Sequence, residues 1–203
     1  MTLAFNEEQR TLKDTAREFA RNQSPVESFR QLRGGAVTEG FSTDIWQSMI
    51  ELGWTGMTFP EAYGGFDFGY MGLAGCMEEL GHTLVASPLL SSVVLSGSAI
   101  LFAGTEEQKQ TLLPQIVSGE KRIALACDEG FHHQPTAISA TAVKEGDTFL
   151  LNGSKARVID GLSADLFIVA VRTAGNAGDT NGISLLLLDA STPGISIEKT
   201  SLV

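Results

Sequence analysis

Few side chains in this 203-residue sequence have both the type and the spacing that chemistry requires. His132 and His133 are adjacent, and Cys127 precedes them closely. Imidazole and thiolate groups bind metals, but neighbours on an extended chain point to opposite sides. These residues therefore predict an exposed loop rather than a metal site. His82 follows Gly81 where a helix is expected to break, which favours a capping or surface role over catalysis.

The acidic pairs and the glycine-containing stretches indicate no catalytic or nucleotide-binding motif. The pairs Glu78-Glu79 and Glu106-Glu107 are expected to face solvent from helices. The sequence contains no G-x-G-x-x-G, no P-loop, no G-x-S-x-G and no H-E-x-x-H. A loop over residues 59–72 is rich in glycine and aromatic residues. It is either a rigid, well-packed loop or one wall of a ligand pocket.

Arg157 is a fixed charge in an otherwise apolar stretch. Asn152-Gly153 predicts a tight hairpin turn, followed by a short strand from Lys155 to Asp160. A guanidinium on such a strand can stack on a planar ligand or bind phosphate or carboxylate oxygens. The alternative is an ion pair with a nearby acid, Asp160 or Asp165. Both interpretations remain open.

Composition excludes several classes of function. The net charge is −10 and the pI is near 4.7, so nucleic-acid binding is not expected. Cys76 and Cys127 have no metal-site spacing and predict two buried, reduced thiols. The first residues lack the pattern of a signal peptide, and no apolar run is long enough to span a membrane. These features predict a cytoplasmic location.

The elements that must position these residues fall into two parts. Up to about Gly119 the apolar residues have helical spacing. The expected helix signals are an Asn6–Gln9 capping box, a helix from Ser42 to a stop at Gly53, a helix marked by Leu73, Met77, Leu80 and Leu84, an apolar helix over 89–103, a Thr105–Gln108 capping box and a break or restart at Pro114.

From Arg122 onward the apolar residues alternate and the turns are short, as in a β-sheet. The sequence therefore predicts an α+β fold. An all-helical domain at residues 1–120 precedes a partial, antiparallel, β-barrel-like domain at 121–203, whose sheet is incomplete.

Four stretches together resemble the acyl-CoA dehydrogenase family. They begin FNEEQRT, WQSMIEL, GTEEQKQ and DTFLLNG and cover residues 5–20, 46–81, 104–129 and 147–172. The resemblance implies an N-terminal helical domain, a middle β domain and a C-terminal helical bundle that this sequence does not reach. It also implies FAD as the cofactor. The family reaction removes a proton α to a thioester and passes a hydride from the β-carbon to flavin N5. The catalytic glutamate belongs to the bundle, so no catalytic residue is expected here.

Two departures from the family pattern lie where the resemblance implies flavin contacts. Asp128 stands in place of a threonine, and no Gly-Ser-Asp follows it. Arg157 and Ile159 stand where the family has a flavin-facing tryptophan and a threonine that bonds near N5. The resemblance makes five residues the candidate cofactor-binding positions: Leu125, Cys127, Asp128, Arg157 and Ile159. Weak or absent FAD binding is expected for this chain alone.

Two functions follow from the resemblance. The first is a flavin-dependent acyl-CoA dehydrogenase in lipid or steroid degradation, of which this chain is a truncated or partner-dependent subunit. The second is a non-catalytic, dehydrogenase-like subunit that assembles with a competent one. Expected partners are an acyl-CoA substrate, dehydrogenase-like subunits in a homo- or hetero-oligomer, and an electron-transfer acceptor. A distant alternative is an unrelated small-ligand binding module.

Overall fold

The chain folds into two compact units, Met1–Lys121 and Arg122–Val203. The structure, a computed structural model, describes residues 4–36 and 39–199. The first unit is helical and the second contains a five-stranded sheet. The predicted α+β class is thus confirmed.

The helical unit contains α-helices joined by short 3₁₀ and π-helical segments. The α-helices in the described residues are α1 Glu7–Gln23, α2 Val26–Gln31, α3 Thr43–Glu51, α4 Tyr70–His82, α5 Ser98–Ala103 and α6 Glu106–Val117. The 3₁₀ segments are Trp54–Gly56 and Glu61–Tyr63, and the π-helical segments are Leu32–Ala36 and Leu89–Gly97. The predicted apolar helix over 89–103 is therefore a π-helical segment that runs directly into α5.

Local capping signals start the helices as predicted. Asn6 and Gln9 form a reciprocal capping box, in which the Gln9 backbone N–H donates to Asn6 Oδ1 at 2.7 Å. Thr105 and Gln108 form a second box at α6. Pro114 lies inside α6, so the predicted break is wrong. It falls in the last turn, where the helix continues to Val117.

The helical core forms around α1 and its neighbours. Ala16, Phe19 and Ala20 are buried on one face of α1. The Phe19 ring meets Trp54 edge-on, with 5.0 Å between centroids. Of the residues predicted to mark a third helix, Leu84 lies beyond the end of α4, with φ +58° and 51% of its surface exposed.

The loop over residues 59–72 is tightly packed. Phe59 is fully buried, and a Cβ on Gly65 would come within 2.0 Å of the Phe59 carbonyl oxygen. A Cβ on Gly97 would come within 2.4 Å of the Phe59 ring. These contacts support the rigid-loop interpretation, since the glycines are needed for close approach.

The sheet of the second unit is mixed. Its strands are β1 Ile123–Ala126, β2 Thr141–Glu145, β3 Thr148–Asn152, β4 Leu166–Arg172 and β5 Ile183–Asp189. The pairs β2–β3 and β4–β5 are antiparallel, as expected. However, β4 pairs parallel with β1 and, at one position, with β2. The sequence prediction of an antiparallel sheet missed these parallel pairs because β1 and β4 are far apart in the chain.

The hairpin lies one turn earlier than predicted. Strands β2 and β3 are joined through Gly146, with φ +62°, and Asp147. No strand forms at 155–160, so the strand predicted after Asn152-Gly153 is wrong. Gly153 instead passes close to Ala140, where a Cβ on the glycine would lie 2.5 Å from the alanine Cβ.

Apolar residues also remain at the surface of the sheet. Among the described residues β5 pairs only with β4. Its residues Leu185 and Leu187 are 46% and 43% exposed. Throughout the described ranges, each helix is too short or too polar to cross a lipid bilayer.

Candidate functional site

Two extended segments bring most of the predicted site residues together. Residues 127–129 follow β1, and residues 153–158 follow β3. The Ala156 N–H donates to the Asp128 carbonyl oxygen at 2.7 Å. The Lys155 Nζ donates to the Cys127 carbonyl oxygen at 3.2 Å. The segment that carries Arg157 therefore lies beside Cys127 and Asp128.

A mostly buried ion pair between Lys155 and Glu129 links these two segments. Lys155 Nζ is 2.6 Å from Glu129 Oε1, and the two side chains are 8% and 15% exposed. The backbone N–H groups of Ser139 and Ala140 also donate to the Glu129 carboxylate, at 2.8 and 3.0 Å. Burial works to raise the pKa of Glu129, but Lys155 and these N–H groups outweigh it and hold that pKa below its ordinary value. Sequence reasoning missed this pair, because the partners are distant in the chain.

Arg157 is exposed and donates to the protein's own backbone. Its φ is +53°, in the left-handed region. Its Nη1 donates to the Phe131 carbonyl oxygen and its Nη2 to the Gly130 carbonyl oxygen. Asp165, one of the two acids proposed as alternative partners, accepts hydrogen bonds from Arg122.

Asp128 has a partner of its own. Its Oδ1 lies 3.0 Å from Nδ1 of the exposed His133. Cys127 is free and half-buried, and burial raises the pKa of its thiol. Over residues 4–36 and 39–199, Cys127 and the two histidines do not bring three ligand atoms together. His132 and His133 themselves are exposed and lie outside any helix or strand.

The other two candidate positions flank these segments. Leu125 lies in β1, pairs with Ile168 of β4 and is half-buried. Ile159 lies in a turn and is 45% exposed. Its side chain has no polar atom, so it cannot replace the hydroxyl that the resemblance implies there.

Three side chains in the helical unit are close enough together to bind a metal ion, but two of them are held by cationic side chains. Ligand atoms of Glu78, Glu79 and His82 lie within 4.8 Å of one another. However, Lys13 Nζ lies 2.6 Å from Glu78, and Arg17 donates to Glu79 at 2.8 and 3.0 Å. Glu79 is 4% exposed, so the prediction that this pair faces solvent is wrong for Glu79. The Arg17 guanidinium holds the pKa of Glu79 below its ordinary value against the effect of burial. These contacts describe an ion-pair network between α1 and α4.

Arg172 is a second cation that sequence reasoning missed. It is 5% exposed at the end of β4. Its guanidinium donates to the carbonyl oxygens of Thr136, Ile138, Asp179 and Asn181, at 2.6–3.3 Å. The only sequence signal is an arginine that ends an apolar strand.

Comparison with known proteins identifies the family. The model of the acyl-CoA dehydrogenase N-terminal domain matches residues 6–120, and that of the acyl-CoA dehydrogenase middle domain matches residues 127–202. The chain belongs to the acyl-CoA dehydrogenase family. It is 32% identical to the caffeyl-CoA reductase-Etf complex subunit CarC of Acetobacterium woodii, over 96% of this chain and 51% of that protein.

Two solved structures share the dehydrogenase fold seen here. One is the ChsE4-ChsE5 complex of Mycobacterium tuberculosis, with a TM-score of 0.82, 27% identity, and coverage of 98% of this chain and 51% of that chain. The other is butyryl-CoA dehydrogenase of Megasphaera elsdenii, with a TM-score of 0.81, 27% identity, and coverage of 96% and 51%. The chain thus spans about half the length of these relatives.

Acyl-CoA dehydrogenases depend on FAD, so the fit of the described residues to a flavin can be tested. The Asp128 carboxylate accepts hydrogen bonds when ionised and lies against His133. The Ile159 side chain offers no donor. Arg157 is directed to the carbonyls of Gly130 and Phe131. At these three positions, the side chains do not fit a flavin in the way that the family resemblance implies.

Proposed function

We propose that this chain is a partner-dependent subunit of a flavin-dependent acyl-CoA dehydrogenase. The assembly oxidises the α,β bond of an acyl-CoA thioester, and this chain does not hold the flavin by itself. The observation that carries the proposal is the orientation of Arg157, which binds backbone carbonyls of its own unit. Family membership supports the reaction class.

The comparisons support a second dehydrogenase-like chain as the partner. The ChsE4-ChsE5 structure is a complex of two named proteins, and this chain is similar to one of its chains over 98% of its length. The CarC relative is named as a subunit of a complex with Etf. By analogy, we propose that reducing equivalents leave the assembly through an electron-transfer protein.

A second candidate is an ordinary homo-oligomeric dehydrogenase of which this chain is the N-terminal half. The coverage of about half of each relative favours it. In that case the catalytic base and the remaining flavin contacts lie in sequence beyond residue 203. The altered residues Asp128, Arg157 and Ile159 would then be tolerated variations in a working site.

Co-expression separates the two candidates. The 203-residue chain is produced alone and together with the product of its neighbouring gene. The measurements are mass by size-exclusion chromatography, flavin absorbance per protein, and acyl-CoA turnover with a dye acceptor. We expect the chain alone to show neither flavin nor turnover, and the pair to co-purify with both. Turnover by the chain alone contradicts the proposal, and failure to co-purify favours the homo-oligomer.

A further inference from the structure

Loop 129–140, here called the anchored loop, has no helix or strand, yet side chains bind it at several points. Its first residue, Glu129, accepts from the N–H groups of its last two residues, Ser139 and Ala140. One carboxylate therefore joins the two ends of the loop. Lys155 binds that carboxylate from the neighbouring segment.

Three cations from the part of the chain that the structure describes bind this loop. Lys155 binds its inner end through Glu129, and Arg172 donates to the carbonyls of Thr136 and Ile138 in its second half. Arg157 donates to the carbonyls of Gly130 and Phe131 near its tip. Lys155 and Arg172 are mostly buried, whereas Arg157 is exposed. Arg157 is thus the outermost of the three anchors.

We infer that Arg157 is a positioning residue that closes the tip of the anchored loop against segment 153–158. The inference deepens the proposed function and rests on it where flavin is concerned. The side chain at the implied flavin-facing position orders a loop of its own unit. The pairing of Ala156 with Asp128 places the two segments side by side, one residue before the arginine.

The chemistry requires an arginine at this position. A planar guanidinium presents parallel N–H groups that can bind two consecutive carbonyls, whereas an ammonium is a single point of charge. The left-handed backbone at Arg157 fixes the direction in which this side chain leaves the segment. Without it, two contacts of the tip residues 130–134 remain: the Asp128–His133 pair, whose histidine is exposed, and the hydrogen bond that the Gln134 carbonyl accepts from the Ala137 N–H.

Hydrogen exchange on the full chain tests the inference. Arg157→Ala should accelerate exchange of the Ala137 and Ala156 amides, which donate to the Gln134 and Asp128 carbonyls on either side of the tip, by roughly tenfold, since it removes two hydrogen bonds with a charged donor. Arg157→Lys should give an intermediate rate, because it restores one donor. Lys144→Ala, an exposed cation on β2, is the control and should exchange as wild type does. Unchanged exchange in β4 would show that each variant is folded.

Two outcomes would overturn the inference. One is wild-type exchange of the Ala137 and Ala156 amides in Arg157→Ala. The other is a pyrophosphate effect that depends on Arg157: adding pyrophosphate changes amide exchange in the loop of the wild type but not of Arg157→Ala. Arg157 would then be an anion ligand. Both are measured without a partner chain. A failure here is therefore distinguishable from a failure of the proposed function, which is judged by co-purification.

Discussion

Lys155 Nζ lies 2.6 Å from Glu129 Oε1, with both side chains largely removed from water. Charges in such a place are stable only when each has its partner and its hydrogen bonds. Lys155 has a second acceptor in the Cys127 carbonyl, and Glu129 has two N–H donors. The pair therefore fixes the positions of both extended segments of the candidate site.

Removing either side chain of the Lys155–Glu129 pair should lower the stability of the second unit. We expect Lys155→Ala to lower the free energy of unfolding of the second unit by about 3 kcal/mol, because it leaves Glu129 buried without its cation. The double variant Lys155→Met, Glu129→Gln should lose less free energy of unfolding than the sum of the losses in Lys155→Met alone and Glu129→Gln alone. Urea denaturation measures both. The exposed Lys144→Ala should stay within about 0.5 kcal/mol of wild type, and an equal loss in that control would contradict the prediction.

Acid should reduce the contribution of Glu79 and Glu129 to the free energy of unfolding. The pKa values of Glu79 and Glu129 lie below their ordinary value, so each binds fewer protons in the folded state than in the unfolded state. Their contribution is present above the ordinary glutamate pKa of about 4.3 and is lost as pH falls through the lowered values. Glu129→Gln should therefore be less stable than wild type at neutral pH, and the difference should shrink in acid. A difference that grows on acidification would show that the sign is wrong.

Gly153 and Gly146 form a matched pair for testing close approach. A Cβ at Gly153 would lie 2.6 Å from the Cα of Ala140, whereas nothing lies within 4 Å of one at Gly146. Both have positive φ. We expect Gly153→Ala to destabilise the second unit by about 2 kcal/mol through backbone overlap, and Gly146→Ala by about 1 kcal/mol from its conformation alone. Thermal unfolding measures both, and equal losses would mean that the Ala140 contact is easily relieved.

The flavin content of the chain alone is a direct test of the altered site. We expect the purified chain to emerge from gel filtration without stoichiometric FAD, because Asp128 and Ile159 supply no hydroxyl and Arg157 is bound to the loop. Absorbance in the flavin band, set against protein concentration, measures this. A yellow protein with one FAD per chain would refute it.

The edge of the sheet should promote association. Leu185 and Leu187 are exposed on β5, a strand with one paired edge in the described residues. We expect Leu187→Lys to reduce aggregation, followed by light scattering, with little change in the unfolding midpoint. Lys144→Glu, on a different strand, is a control for the effect of changing surface charge. A loss of stability without any change in scattering would indicate that Leu187 is a core residue.

Local features were predictable from the sequence, and contacts between distant segments were not. The capping boxes at Asn6 and Thr105 depend on residues three apart, so they were found correctly. Pro114 was expected to break the helix by a local rule, but α6 accommodates the proline in its last turn. The parallel pairing of Ile123 with Leu166 joins residues that no short pattern connects.

In the candidate site too, local features were predictable and contacts between distant segments were not. The turn at Asn152-Gly153 was predicted from dipeptide preference, but the hairpin closed at Gly146, and Gly153 is required by its contact with Ala140. Asp128 and Arg157 were found as departures from a family pattern. Their neighbours were not, because Glu129–Lys155 and Arg157–Phe131 form only once the chain has folded.

The Glu129 carboxylate has a practical consequence for engineering. Because it binds the N–H groups of Ser139 and Ala140, it sets the distance between the ends of the anchored loop whatever lies between them. The cost of closing a longer loop rises only slowly with its length. A peptide tag or fluorescent reporter inserted beside Phe131, which is 90% exposed, should therefore leave the strand register intact. The loop tip is an attachment point at which this unit can be labelled without redesigning its sheet.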